Sequence, residues 1–99
     1  MVKIIKIAGE SLNPLYGDGD FVLVTKIPFI LKRIKSGDIV VFNNSSYGTM
    51  IKRVDKYDKN NGELWVSGTH PDSVDSLEIG PVFTEDLLGK VVLHIRKPG

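Results

Sequence analysis

Short apolar runs alternate along the chain with turns rich in glycine, asparagine and aspartate, a pattern typical of β-strands. The predicted strands are Val2–Ile7, Phe21–Lys26, Asp38–Asn43, Thr49–Tyr57, Glu63–Ser67 and Gly89–Arg96. Asn61 and Gly62 favour a hairpin between two of these strands, because hairpin turns require residues that tolerate a positive φ. Many short strands without long helices predict an all-β fold, a small coiled β-barrel or sandwich.

A short helix is indicated near the end of the chain, just before the last predicted strand. Thr84 suits a helix N-cap, and the two acids that follow it suit a first helical turn. Gly89 suits the residue at which a helix stops. The pattern therefore predicts at most one short helix, over Thr84–Leu88.

The apolar stretch Ile27–Leu31 precedes a group of cations and supports two interpretations. One is a loop that packs Phe29 and Ile30 into the core, which is favoured because short apolar runs are usually buried. The other is a peripheral contact with a membrane, in which cations lie at the headgroups. The apolar side chains of that contact would be Ile27, Phe29, Ile30 and Leu31, and its cations Lys32, Arg33 and Lys35.

Composition narrows the class of protein. The 99 residues suit one domain, over residues 1–99, and 13 basic against 12 acidic residues give no charge bias towards nucleic acid. Without cysteine, the chain has no disulfide, thiolate nucleophile or thiolate metal site. No apolar stretch approaches the roughly 20 residues of a membrane span, and no signal-peptide pattern is present. We therefore expect a soluble, cytoplasmic protein, which would be membrane-associated if a tether or partner exists.

Candidate chemistry is concentrated in one lysine and one serine. Strand alternation places Lys52 on the same face as Met50 and Val54, so its amine should be partly desolvated. Desolvation disfavours the ammonium form and lowers the pKa of a lysine, and a neutral lysine can take the proton of a serine hydroxyl. The alternative is a lysine that extends past its apolar neighbours to solvent. Arg53 faces the other side with Asp55, so a local ion pair is expected there.

Ser11 lies in the segment Gly9–Pro14, directly after an apolar run. Gly9 has no side chain, so a substrate could approach the backbone closely. The N–H groups around Ser11 could then face a developing oxyanion. The alternative is a serine that only caps the turn before Pro14. His70 and His94 have no obvious acidic partner, so a histidine-based triad, a metal site or a cofactor is not expected.

Almost the whole chain resembles the catalytic core of the bacterial type I signal peptidases. Gly9–Pro14 resembles the family's nucleophile segment, glycine-x-serine-methionine-x-proline, and Met50–Val54 resembles the segment of its general-base lysine. The other matching segments follow the family order and are Gly19–Val24, Ser36–Phe42, Gly68–Val82 and Gly89–Val91. As a minimal core, the chain is also similar to the small soluble proteases thought to remove the leader of nickel superoxide dismutase.

This resemblance implies a role for each matching residue. Ser11 would be the nucleophile, its amide would supply the oxyanion hole, and Lys52 would be the general base. Ser73 would orient the lysine amine. Gly9 would offer only backbone where some family members add a hydroxyl. The substrates would be precursor polypeptides with a leader or signal segment, bound in an extended conformation.

The sequence also departs from the family pattern. Leu12 replaces a methionine, Thr69 and His70 replace an aspartate and an asparagine, and Leu77 stands where an arginine is usual. Without that arginine, Asp75 and Arg53 would pair directly. Two other functions therefore stay open. One is the C-terminal domain of a self-cleaving repressor, which usually follows a DNA-binding segment and a hinge that this sequence does not show. The other is a non-catalytic peptide-binding module.

Overall fold

The computed structural model describes residues 2–7, 17–46, 48–68 and 80–96, and within them one antiparallel sheet dominates. Its strands are β1 (Val2–Lys6), β2 (Phe21–Thr25), β3 (Ile39–Asn44), β4 (Gly48–Asp58), β5 (Glu63–Ser67), β6 (Val82–Phe83) and β7 (Leu87–Ile95). Their order across the sheet is β1-β2-β7-β3-β4-β5-β6. The prediction of a mainly β fold is confirmed, and the last strand lies in the middle of the sheet, between β2 and β3.

Apolar side chains cover both faces of the sheet. Alternation along β3 sends Val40 and Phe42 to one face and Val41 to the other, and all three are at most 1% exposed. The larger cluster contains Ile34, Val40, Phe42, Val54, Leu64, Val66, Val82 and Leu87. The smaller cluster contains Ile7, Val22, Val24 and Val41. Both faces of the sheet therefore bury apolar side chains.

The helix predicted over Thr84–Leu88 is wrong in extent. A single 3-10 turn covers Thr84–Asp86, and Leu87 and Leu88 already belong to β7. Leu87 pairs with Phe42 of β3 and is buried in the larger cluster. Burial in the sheet therefore outweighs the local helix signals, and Gly89 lies inside a strand instead of ending a helix.

The stretch after β2 forms a short helix, α1 (Pro28–Leu31), with proline in the first turn, where its missing N–H costs no helical hydrogen bond. Leu31 packs against the larger cluster, whereas Phe29 is 61% exposed. At 3.6 residues per turn, side chains two positions apart point in nearly opposite directions. The predicted burial of Phe29 is therefore wrong, and Ile30 is only partly buried.

The hairpin between β4 and β5 is confirmed. Asp58 pairs with Glu63 across its end, and the Asp58 carboxylate accepts hydrogen bonds from the Asn60 and Asn61 amides. Gly62, at φ +65°, supplies the positive φ that the turn needs. In the described part of the chain, no helix is long and apolar enough to cross a membrane.

Candidate active site

Lys52 lies in the middle of β4 and is 1% exposed. As alternation predicts, it shares its face with the fully buried Val54 and the partly buried Met50. Lysines are almost never buried to this degree without a partner, and Lys52 does have one. Its amine does not reach bulk solvent, so the alternative of a lysine that extends into water is wrong.

A second lysine lies near Lys52 on the same face of the sheet. Val40 of β3 pairs with Lys52 on one side and with Lys90 of β7 on the other. The Lys90 Nζ lies 3.3 Å from the Asp38 Oδ2, and both side chains are partly exposed. The two lysines therefore differ in environment: Lys90 is a paired cation at the protein surface, and Lys52 is a buried amine.

The opposite face of β4 carries the predicted local ion pair. The Arg53 Nε lies 4.0 Å from the Asp55 Oδ1, with both side chains substantially exposed, so its contribution to stability is small. The Ser67 hydroxyl donates a 3.0 Å hydrogen bond to the same Asp55 oxygen. Arg53 also pairs with Ser67 across β4 and β5, so these contacts fix the end of β5 beside the strand that carries Lys52.

The other predicted site residues lie outside the described residues, and their roles stay predictions. They are Gly9, Ser11, Ser73 and Asp75. The two ends of the segment that contains Ser11 are well defined. Ile7 donates a 2.7 Å backbone hydrogen bond to Asp20, and Gly19 donates one of 2.8 Å back to Ile7. The chain therefore leaves and re-enters the sheet at one point.

A side-chain contact that sequence analysis missed lies where the segment that contains Ser11 returns to the sheet. Asp20 is 7% exposed, and its Oδ2 lies 2.7 Å from the His94 Nε2 and accepts a 3.0 Å hydrogen bond from the Gly17 amide. The expectation that His94 lacks an acidic partner is therefore wrong. The two residues are 74 positions apart, and only the adjacency of β2 and β7 brings them together.

Comparison with known protein families identifies the family of this chain. A model of the Peptidase S24-like family matches residues 1–92, nearly the whole chain. The chain belongs to the Peptidase S24-like family. The matched region contains both Ser11 and Lys52 and ends two positions before His94. A search of curated proteins finds no match.

Membership of the Peptidase S24-like family supports a serine peptidase-like protein with a β fold. It agrees with the mainly β sheet of the structure. The Asp20–His94 contact involves a residue beyond the matched region, so it is a feature of this chain that the family match does not cover.

We expect loss of the Asp20–His94 contact to destabilise the fold. Asp20→Asn and His94→Leu should each lower the free energy of unfolding by about 1–3 kcal/mol, because each removes or weakens the short contact between two largely buried polar side chains. Urea unfolding followed by circular dichroism measures this. Asp86→Asn, at an exposed position, is the matched control and should change stability by less than about 0.5 kcal/mol. Equal midpoints for the control, Asp20→Asn and His94→Leu would show that the contact contributes nothing.

Proposed function

We propose that this protein is a serine endopeptidase that cleaves leader or signal segments from precursor polypeptides, with Ser11 as nucleophile and Lys52 as general base. The observation that carries the proposal is the burial of the Lys52 side chain in a chain of the Peptidase S24-like family. A buried cation is costly, so burial favours the neutral amine that general-base catalysis needs.

The chemistry follows from these two groups. The neutral Lys52 amine takes the proton of the Ser11 hydroxyl as its oxygen attacks the scissile carbonyl carbon. The backbone N–H of Ser11 stabilises the negative charge that develops on the carbonyl oxygen. Lys52 then gives the proton to the leaving amine, and the C–N bond breaks. Water hydrolyses the acyl-enzyme with Lys52 again as base, which regenerates both groups.

The described residues support the reach that this chemistry requires. Ile7 belongs to the smaller cluster, against which Ile51, the neighbour of Lys52, also packs. Ser11 follows Ile7 by four residues, which span at most about 14 Å when fully extended. The segment that carries Ser11 therefore starts close to β4, on the face opposite the Lys52 side chain.

Supporting roles come from the resemblance to the type I signal peptidases. Ser73 would orient the Lys52 amine, Asp75 would pair with Arg53, and Gly9 would leave room for the substrate backbone. Ser73 follows Ser67 by six residues, and Ser67 pairs with Arg53 beside Lys52.

The self-cleaving repressor domain is the second candidate, because the family match agrees with it as well. The two functions differ in molecularity. A leader peptidase turns over a separate peptide many times, whereas a self-cleaving domain cuts its own chain at a rate independent of protein concentration. A non-catalytic binding module does neither.

A pH–rate profile with a separate peptide tests the proposal. We expect turnover of a fluorogenic leader peptide with small residues at the cut to rise about tenfold per pH unit along the limb below the Lys52 pKa, because only the neutral amine accepts the serine proton. Multiple turnovers per enzyme molecule support the peptidase. Concentration-independent cleavage of the chain itself, without peptide turnover, identifies the self-cleaving domain, and no cleavage at any pH identifies the binding module.

A further inference from the structure

The positive charge of this protein is concentrated in one short region. Residues 26–35 contain four basic and no acidic residues, whereas the remaining chain has 9 basic and 12 acidic residues, from totals of 13 and 12. The local charge is therefore +4 in a chain whose total is +1. The four cations are Lys26, Lys32, Arg33 and Lys35, and all are exposed.

These cations lack acidic partners in the part of the chain that the structure describes. The ion pairs there involve other cations, on β4 and β7. Arg33 instead stacks on an aromatic ring, with its Cζ 4.7 Å from the centroid of Phe29. Unpaired cations beside an aromatic side chain keep their charge available for an external anion.

Apolar side chains project from the same region. Leu31 packs against the larger cluster and Ile34 is 3% exposed, so these two residues anchor α1 to the sheet. Phe29 is 61% exposed and Ile27 38% exposed, on the side that these anchors leave open. Exposed apolar side chains and exposed cations thus occur together in this region. We call Lys26, Ile27, Phe29, Lys32, Arg33 and Lys35 together the α1 surface.

A groove lies beside these apolar side chains. Its volume is about 570 Å³, and it is lined by Ile27, Pro28, Leu31 and Tyr57, with Lys26, Lys32 and Thr84 as its polar lining residues. Most of the lining is thus apolar, and two of the four cations, Lys26 and Lys32, are among the lining residues. An amphiphile with an anionic head and an apolar tail matches both features.

We infer that the α1 surface docks onto anionic phospholipid bilayers. Phe29 and Ile27 enter the interface between headgroups and acyl chains, and the four cations contact lipid phosphates. Charge complementarity favours a bilayer over an apolar protein partner, because residues 26–35 contain the four cations together with the exposed apolar side chains and no acidic residue. This docking is independent of Ser11 and Lys52 and does not rest on the proposed peptidase function.

Vesicle sedimentation tests this inference. The protein should sediment with phosphatidylglycerol vesicles, bind vesicles of pure phosphatidylcholine much more weakly, and dissociate as salt increases. The double variant Lys32→Gln/Arg33→Gln should lower the partition coefficient about 25-fold, at about fivefold per cation. Phe29→Ala should lower it about tenfold. All three substitutions are at exposed positions, so the fold should be retained.

Matched control variants test whether vesicle binding depends on the α1 surface in particular. Lys56→Gln/Lys59→Gln removes the same charge from exposed positions on β4 and its hairpin. Ile4→Ala, at a 65% exposed position on β1, is compared with Ile27→Ala. Ile4→Ala should change the partition coefficient by no more than about twofold. Lys56→Gln/Lys59→Gln should change it by no more than about twofold apart from the weakening that a lower net charge causes at long range. The inference is overturned if wild-type protein fails to bind phosphatidylglycerol, or if a control weakens binding as much as its α1-surface counterpart.

Insertion itself has a separate readout. In a Trp65→Phe background, Phe29→Trp provides the sole tryptophan, and its emission should shift to shorter wavelength when phosphatidylglycerol vesicles are added. Ile4→Trp in the same background should not shift. A shift at Ile4 alone would place the docking surface on β1 and refute the assignment to α1.

Discussion

Replacing Lys52 with methionine should lower kcat/KM for peptide cleavage by about 10³-fold or more and leave the fold intact. The substitution removes the proposed general base, whose contribution is typically 10²–10⁴-fold. Methionine is unbranched and apolar, so it suits the buried position between Met50 and Val54. Methionine cannot replace the polar contact that Lys52 makes, so the variant should lose some stability, and urea unfolding of the variant accompanies the kinetics. The loss of activity should appear in kcat, because the lysine acts on the reacting bonds.

Ser11→Ala should give a loss at least as large, because it removes the atom that forms the acyl-enzyme. Combined with Lys52→Met, it should cost little more than either change alone, since the two groups act as a unit. This non-additivity distinguishes a dyad from two residues that support the fold independently. It is measured with the same fluorogenic peptide, together with urea unfolding of each variant.

Two controls match these changes in chemistry. Lys56→Met alters an exposed lysine on the same strand, and Ser46→Ala alters an exposed turn serine. Both should retain activity within about twofold. If Lys52→Met or Ser11→Ala cleaves the peptide as fast as these controls, the Ser/Lys mechanism is wrong. If Lys52→Met unfolds, Lys52→Gln provides a second variant, since its neutral amide can still hydrogen-bond but cannot act as a base.

Local pattern was enough to predict much of the sheet and the setting of Lys52. Glu63–Ser67 is a strand with the predicted bounds, and the other predicted strands differ by at most two residues at either end. Alternation along β4 also gave the correct face for Lys52. These features depend on neighbours within a few residues, where side-chain periodicity is directly readable.

The features that sequence analysis missed depend on contacts that are distant along the chain. Asp20 meets His94 because β7 lies against β2, and no local pattern encodes that order. Leu87 has a helix-like setting in sequence, but its pairing with Phe42 places it in a strand. Phe29 was expected in the core because short apolar runs are usually buried, whereas the turn of α1 gives that place to Leu31 and Ile34.

Gly89 shows how closely the central strands approach each other. It lies in β7, opposite Val41 of β3, with β2 on the other side. A Cβ atom at Gly89 would lie 2.6 Å from the Thr25 carbonyl oxygen, 2.8 Å from its carbonyl carbon and 3.0 Å from its nitrogen. All three are backbone atoms, so no side-chain rotation can relieve the contact. The position requires glycine because β2 and β7 meet there.

Gly89→Ala should therefore lower the free energy of unfolding by about 3 kcal/mol, the upper range for overpacking a closely packed interior. Urea unfolding should show a lower midpoint with an unchanged slope, since the surface exposed on unfolding is nearly the same. Gly17→Ala is the matched control: its Cβ would lie 3.5 Å from the Asp20 Oδ2, an ordinary contact. That variant should change stability by less than about 0.5 kcal/mol. Equal midpoints for the two variants would show that β2 can move away from β7 at no cost, contrary to the central position of β7 in the sheet.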